Sequence, residues 1–224
     1  TESSGARDKD AAWSPNGEKV AYLSDQSREY EIHIIGKKGE NKSVQLTDLG
    51  KGYRHTLRWS PDGSKIAFTD QTLTLYYLDV ESEKITKVDK AHFESVDVPI
   101  DEKPIYDFKW SPDSRYLAYS KMTEDQIFQV FIYSLDQDKA YNVSQNTFND
   151  FHPVFTEDGD HLLFVSNRHF DPTFGDFEWE LVYKDVAGVY AMALEKDGEP
   201  FLPLQNDEVD GKTKKSASGS QVEV

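Results

Sequence analysis

The chain has 224 residues, no cysteine and a formal net charge of -16, because 41 acidic residues outnumber 25 basic ones. Without cysteine it can form neither disulfides nor thiolate metal sites, and its acidity argues against partners such as nucleic acids or anionic membranes. It also has no apolar run long enough to cross a bilayer, so membrane insertion is not expected. Solubility alone explains the charge, and recognition of basic peptides is the alternative. The compartment, cytoplasm or periplasm, stays open.

A short motif, an aromatic residue followed by a tight turn, occurs four times. The copies begin at Trp13, Trp59, Trp110 and Phe155, and the second copy reads Trp59-Ser60-Pro61-Asp62-Gly63. Proline presets φ, aspartate bonds its own backbone and glycine accepts a positive φ, so the chain reverses there. An apolar strand pattern follows each turn. The steps of 46, 51 and 45 residues fit one four-stranded propeller blade per repeat.

The predicted fold class is therefore all-β, a β-propeller arc of about four four-stranded antiparallel blades. In chain order we expect a loop from a preceding blade at 1–9, blades at 10–55, 56–105, 106–151 and 152–204, and a linker with the start of a further strand at 205–224. The first strands are expected to begin at Asp10, Thr56, Tyr106 and His152. The repeated aromatic should pack between neighbouring blades, with a β-sandwich core position as the alternative.

Antiparallel connectivity predicts two different faces. We call the side where the Ser-Pro-Asp-Gly turns emerge the turn face, and the opposite side the loop face. The loop face carries a long loop at 90–104 and an insertion at 167–187, in which the spacing of Phe174, Phe177 and Leu181 permits a short helix. Long loops on a rigid scaffold often carry recognition. The candidate partner or substrate face comprises His92, Phe93, Phe170, Phe174, Phe177 and Trp179. Simple packing of these loops against neighbouring domains is the alternative.

No motif for catalysis, a cofactor or a metal is present in the sequence. The chain has six histidines, so its composition alone permits a Ser-His-Asp triad. However, there is no Gly-x-Ser-x-Gly motif, and Ser14, Ser60 and Ser111 belong to the repeated turn. His161 and His169 lack the spacing of a zinc helix, and phosphate-binding glycine motifs are missing. We therefore predict no catalytic, cofactor-binding or metal-binding residue.

The sequence around the four motifs resembles bacterial tricorn-like serine peptidases. The matching stretches are Gly5–Trp13, Tyr22–Asp25, Glu29–Ile32, Leu75–Asp79, Phe128–Leu135, and, in the insertion, Phe170–Thr173 with Glu178-Trp179. The resemblance implies a segment of the second, seven-bladed propeller of a large peptidase, in which WD-repeat-like (TolB-like) propellers precede a PDZ domain and a catalytic core. No catalytic segment of that family has a counterpart in this chain.

The resemblance further implies a non-catalytic role. The segment would guide or filter unfolded peptide substrates and dock to the PDZ and catalytic domains of the parent chain. The alternative is a stand-alone TolB-like propeller that acts as a protein-interaction platform, and an intrinsic hydrolase is a third hypothesis. Because an arc of blades has two uncovered end surfaces, we expect it to need neighbouring chain or to form homo-oligomers.

Overall fold

The computed structural model describes residues 5–37, 42–91, 107–144, 147–169, 172–174, 181–196 and 198–202. Within them the regular secondary structure consists of strands, all paired in antiparallel fashion. The sheets pack side by side in sequence order without closing into a ring, so the described residues form a partial propeller. This confirms the all-β propeller arc predicted from the repeats.

Each sheet is one blade. Blade one contains β1 (Asp8–Trp13), β2 (Lys19–Ser24), β3 (Glu31–Gly36) and β4 (Val44–Gln45). Blade two contains β5 (Arg54–Trp59), β6 (Lys65–Asp70), β7 (Thr74–Asp79) and β8 (Ile85–Lys90). Blade three contains β9 (Lys109–Trp110), β10 (Tyr116–Met122), β11 (Phe128–Ser134) and β12 (Lys139–Asn142). Blade four contains β13 (Asp150–Phe155), β14 (His161–Ser166) and β17 (Gly188–Ala193), with a separate hairpin of β15 (Pro172–Phe174) and β16 (Leu181–Tyr183).

The hydrophobic core lies between the blades. The second strands β2, β6 and β10 each bury four consecutive residues, because both of their faces contact apolar side chains. One buried cluster joins blades one and two around Leu23, Ile32 and Phe68. A second joins blades two and three around Leu75 and Tyr119, and a third, smaller one joins blades three and four. Each blade therefore depends on its neighbours for burial.

Two tryptophans of the motif link neighbouring blades by hydrogen bonds as well as by packing. The indole Nε1 of Trp59 donates to the carbonyl of Ala12 at 3.0 Å, and that of Trp110 donates to the carbonyl of Arg58 at 3.0 Å. Each acceptor is the residue just before the tryptophan of the preceding blade. The repeated aromatic thus lies between blades, as predicted, whereas Trp13 is 60% exposed on the outer side of blade one.

The repeated turn is held by the same side-chain bonds in all four blades. The hydroxyl of Ser60 donates to Asp62 Oδ1 at 2.5 Å and accepts from the backbone N–H of Lys65 at 2.9 Å. Asn16, Asp113 and Asp158 accept the equivalent bonds in the other turns. Ser114 replaces the usual glycine with a φ of 62°, and its Oγ accepts a hydrogen bond from the backbone N–H of Asp62 in blade two.

Two details of the predicted elements were wrong. The insertion of blade four contains the hairpin β15–β16 where the spacing allowed a short helix, and Phe174 pairs with Leu181 across that hairpin. In blade three, β9 begins at Lys109, three residues later than the expected Tyr106. First strands β1, β5 and β13 begin two residues earlier than expected, at Asp8, Arg54 and Asp150. They are longer because a β-bulge shifts the register inside each one, which periodicity does not reveal.

Candidate functional site

The structure describes one of the six residues predicted for the partner face, Phe174. His92, Phe93, Phe170, Phe177 and Trp179 lie outside the described residues. Phe174 is the last residue of β15, in the hairpin that follows β14 on the loop face. Whether these six residues form one surface therefore stays a prediction. What the structure does describe is the row of polar groups at the loop-face ends of the strands.

The first polar group connects blades two and three. Asp89, in β8, accepts a hydrogen bond from the Tyr119 hydroxyl at 2.6 Å and forms an ion pair with Lys121 Nζ at 2.8 Å. The ammonium group of Lys121 also lies 4.3 Å from the centre of the Phe131 ring. Burial, together with the Asp89 carboxylate, raises the pKa of Tyr119, so its hydroxyl remains a donor at neutral pH.

The second polar group connects blades three and four. The buried carboxylate of Asp107 accepts from the backbone N–H of Ser120 at 3.0 Å and from its hydroxyl at 2.5 Å. The same carboxylate accepts from the backbone N–H of His152 at 2.7 Å, and the imidazole Nδ1 of His152 lies 3.5 Å away. One carboxylate thus fixes the first strand of blade four against the second strand of blade three.

Serine, histidine and aspartate meet in this group, but their order differs from that of a catalytic triad. In a triad the histidine lies between the other two residues and takes the proton of the serine. Here Asp107 lies between Ser120 and His152, and the serine hydroxyl donates to the carboxylate. Ser120 is also buried, with 1% of its surface exposed. The arrangement is therefore a structural junction between two blades.

The third polar group lies within blade four, beside the insertion. The guanidinium of Arg168 contacts both carboxylate oxygens of the fully buried Asp150, at 3.2 and 3.3 Å, and donates to the hydroxyl of Ser166 at 2.8 Å. It lies over the ring of Tyr190 at 4.3 Å from the ring centre. Arg168 therefore anchors the chain at the point where the insertion leaves β14.

These polar groups were not predicted from the sequence. A signal was present for the third group, since Asp150, like Asp8 and Arg54, stands five residues before a motif aromatic. In the structure, these three residues start the first strand of their blades and face Ser24, Asp70 and Ser166 on the second strand. Charged residues at a repeated position are hard to distinguish from surface residues in a chain as acidic as this one, so the pattern was not used.

The described part of the chain shows neither a metal-binding cluster nor a membrane-spanning helix. No cluster of three or more histidine, aspartate or glutamate side chains there could hold a metal ion. The same residues include no helix that could cross a membrane. What they do provide is a row of ion pairs and hydrogen bonds below the loop face, two groups between neighbouring blades and one within blade four. Together with the radial sheets, this defines the described residues as part of a β-propeller.

Comparison with known proteins identifies the family. A family model, the tricorn protease second beta propeller domain, matches residues 1–224. The chain belongs to this family, which confirms the resemblance found in the sequence. It is 26% identical over 200 residues to a tricorn-like protease C-terminal subunit of Sulfurisphaera tokodaii, covering 89% of this chain and 22% of that protein. The chain therefore spans only about a fifth of that relative.

Two solved structures show the same fold. The crystal structure of the tricorn protease matches with a TM-score of 0.67 at 19% identity, covering 80% of this chain and 17% of that one. TolB from Acinetobacter baumannii matches with a TM-score of 0.51 at 17% identity, covering 84% of this chain and 43% of that one. At these identities both comparisons concern the fold alone.

Proposed function

We propose that this segment is the non-catalytic propeller part of a tricorn-like serine peptidase, which guides or filters unfolded peptide substrates and docks to the PDZ and catalytic domains. The observation that carries the proposal is the match of the whole chain to the second propeller domain of tricorn proteases. The parent protein would supply the serine nucleophile from another part of its sequence.

The structure supports a role for the loop face in this proposal. The β15–β16 hairpin and the connections between blades emerge there, above the polar contacts of Asp89, Asp107 and Asp150. These contacts hold the strand ends in place, and fixed strand ends give the loops a defined arrangement. A defined set of loops is what docking to a neighbouring domain requires. The aromatic residues predicted for this face remain part of the proposal.

The alternative, a stand-alone TolB-like interaction platform, has less support. A TolB structure shares the fold with a TM-score of 0.51, below the 0.67 of the tricorn protease. The family model is specific to the tricorn second propeller and covers every residue of the chain. We therefore retain the peptidase propeller as the proposed function.

A bulky group on the loop face tests the guiding role. Because this chain contains no cysteine, Asp125→Cys in the exposed β10–β11 connection introduces the one thiol of residues 1–224 that a polyethylene glycol maleimide can label, and the maleimide-treated parent without the substitution is the reference. In the polypeptide that includes the catalytic domains, we expect the adduct to slow hydrolysis of a long unfolded peptide more than that of a fluorogenic tripeptide. The small substrate needs less guidance and passes an obstruction more easily.

The matched control is Glu81→Cys, which places the same adduct on the exposed β7–β8 turn of blade two, on the turn face. We expect this adduct to leave the ratio of the two hydrolysis rates unchanged. Equal effects of the loop-face adduct on both substrates, or no effect on either, would contradict the guiding role.

A further inference from the structure

A cavity of about 470 Å³ opens on the turn face between blades three and four. Its lining includes the apolar residues Ile132, Phe155 and Leu194, called the floor below, and the acidic residues Asp113, Asp158, Asp160 and Glu195, called the rim. The volume falls within the range of about 300–1,000 Å³ that is usual for small ligand sites. The charged residues of the lining are all acidic, and together with the apolar floor they are complementary to a chemical group that combines an aliphatic stem with a cation.

A departure from the repeat contributes to this cavity. Blades two and three place Trp59 and Trp110 between neighbouring sheets, each with an indole N–H bonded to a carbonyl of the preceding blade. Blade four has Phe155 at this position. Phenylalanine has a smaller ring and no N–H, so the equivalent bond to the carbonyl of Lys109 cannot form. The junction between blades three and four is therefore less filled than a tryptophan would leave it.

The rim carboxylates are already oriented by the turns that carry them. Asp113 uses Oδ1 to accept from the Ser111 hydroxyl and the backbone N–H of Arg115. Asp158 uses Oδ1 in the same way, accepting from the Thr156 hydroxyl and the backbone N–H of Asp160. The second oxygen of each carboxylate takes no part in these turn bonds. The hydrogen bond from Thr156 lowers the pKa of Asp158, which keeps this rim group ionised at neutral pH.

We propose that this cavity binds the side chain of a lysine or arginine of an unfolded peptide. Its methylene groups would lie against Ile132, Phe155 and Leu194, and its cation would lie among Asp113, Asp158 and Asp160. Long basic side chains commonly bury their stems while the charge stays near water. The net charge of -16 favours the approach of cationic peptides over longer distances. The inference rests on the proposed function, which makes unfolded peptides the substrates, and it adds a preference for basic residues.

Peptide binding to the polypeptide that contains residues 1–224 tests the inference. The probe is a fluorescein-labelled glycine-serine peptide with a central pair of lysines, compared with its norleucine analogue by fluorescence anisotropy at low salt. We expect the lysine peptide to bind more tightly. The double variant Asp113→Asn/Asp158→Asn should weaken its binding by about threefold to tenfold, the range expected for losing two exposed ion pairs. Asparagine keeps the turn bonds, because Asn16 makes them in blade one.

Two further variants separate the cavity from general charge. Phe155→Trp should also weaken binding because the larger ring fills part of the floor, and the fold accepts tryptophan at this position in the other blades. The control Glu81→Gln/Glu83→Gln removes two exposed charges from the turn face of blade two and should leave the affinity nearly unchanged. Equal binding of the lysine and norleucine peptides, or an equal loss in this control, would overturn the inference.

The result can be distinguished from a failure of the proposed function. If the cavity variants bind the lysine peptide normally while the loop-face adduct still selectively slows long substrates, the basic-residue site is wrong and the guiding role stands. If the variants weaken binding but the adduct has no selective effect, the cavity binds basic side chains without guiding substrates.

Discussion

The aromatic residue of the motif has different surroundings in each blade. Trp59 and Trp110 lie between sheets and bond to a neighbouring backbone, Trp13 lies on an outer side, and Phe155 borders a cavity. A buried tryptophan usually finds an acceptor for its N–H, because an unpaired polar group is costly in an apolar environment. The same residue type therefore contributes differently to stability depending on whether a preceding blade covers it.

Trp59→Phe should lower the free energy of unfolding by about 1–2 kcal/mol, because the bond to the Ala12 carbonyl is lost and packing between blades one and two is reduced. Urea unfolding followed by far-UV circular dichroism measures the change. Trp13→Phe is the matched control. Since Trp13 is 60% exposed, its replacement should cost less than about 0.5 kcal/mol. Equal effects of the two substitutions would show that the indole bond contributes nothing.

His33 is a second residue whose surroundings decide its behaviour. It is 4% exposed, stacks on Tyr22 and lies 3.3 Å from the Ser43 hydroxyl through Nδ1. Its Nε2 is buried without a hydrogen-bond partner. Burial lowers the pKa of His33 below the ordinary 6.5, and the carboxylates of Asp8 and Glu31 offset this only partly. The folded protein therefore holds this imidazole neutral where the unfolded chain would protonate it.

This difference makes stability depend on pH. Below about pH 6.5, His33 is protonated in the unfolded state but stays neutral in the folded state. The free energy of unfolding should therefore fall as the pH is lowered, by at most about 1.4 kcal/mol per pH unit. Once the pH is below the pKa of His33 in the folded protein, the free energy of unfolding stops falling on account of this residue. His33→Phe should remove this contribution, whereas His169→Gln, at an exposed histidine, should retain it. Urea unfolding between about pH 7 and 5 measures this pH dependence. If the free energy of unfolding changes with pH in the same way in the wild type and in His33→Phe, His33 is not its source.

At the scale of single elements, the first strand of a blade is shaped by its bulge. Asp10, Thr56 and His152 occupy equivalent positions with φ between 53° and 55°, in the left-handed region. The bulge tilts the end of the strand, which places Asp8 and Asp150 beside the second strand at the loop face. The polar groups below the loop face therefore depend on a backbone irregularity. A strand pattern of alternating residues gives no sign of it.

Thr56 is the least suited of these three residues to its conformation, because a β-branched side chain crowds the backbone at positive φ. Thr56→Asn should raise the free energy of unfolding by about 0.5–1 kcal/mol, since asparagine tolerates this region. The control Thr86→Asn, in the part of β8 that pairs regularly with β7 opposite Tyr77, should lower it, because threonine is the better strand former. Thermal or urea unfolding of both variants checks the sign. A loss of stability in Thr56→Asn would argue against strain at the bulge.

At the scale of the whole molecule, the arc has two different outer sides. Trp13 is exposed on the side of blade one, while Val154 and Val189 are 44% and 75% exposed on the side of blade four. Trp13 and Val189 occupy positions that are covered in other blades, since Trp110 and the three equivalents of Val189, Ile32, Leu75 and Val130, are buried. Exposed apolar patches of this kind mark surfaces that contact other protein. The two sides are also different from each other, and a contact between copies that continues the arc of blades would pair them head to tail.

We expect the protein consisting of residues 1–224 to associate reversibly as its concentration rises. Sedimentation velocity over a range of concentrations measures this, and Trp13→Arg or Val189→Lys should each shift the distribution toward monomer. One substitution on either side should suffice, because a head-to-tail contact uses both sides. A monomer at every concentration would contradict the prediction.

The sequence determined the repeat, the all-β propeller arc and its family, because turn residues and apolar strands are local signals that recur at a fixed register. Only the tertiary structure decided that the insertion of blade four contains a hairpin, that the first strands carry bulges, and that Asp107 joins two blades. Those features depend on contacts between residues far apart in the chain: Asp107 and His152 are separated by 45 positions, and the space left by Phe155 lies between two sheets. Local sequence patterns do not show which residues that are distant in the chain meet between two blades. Only the packing of the blades decides this.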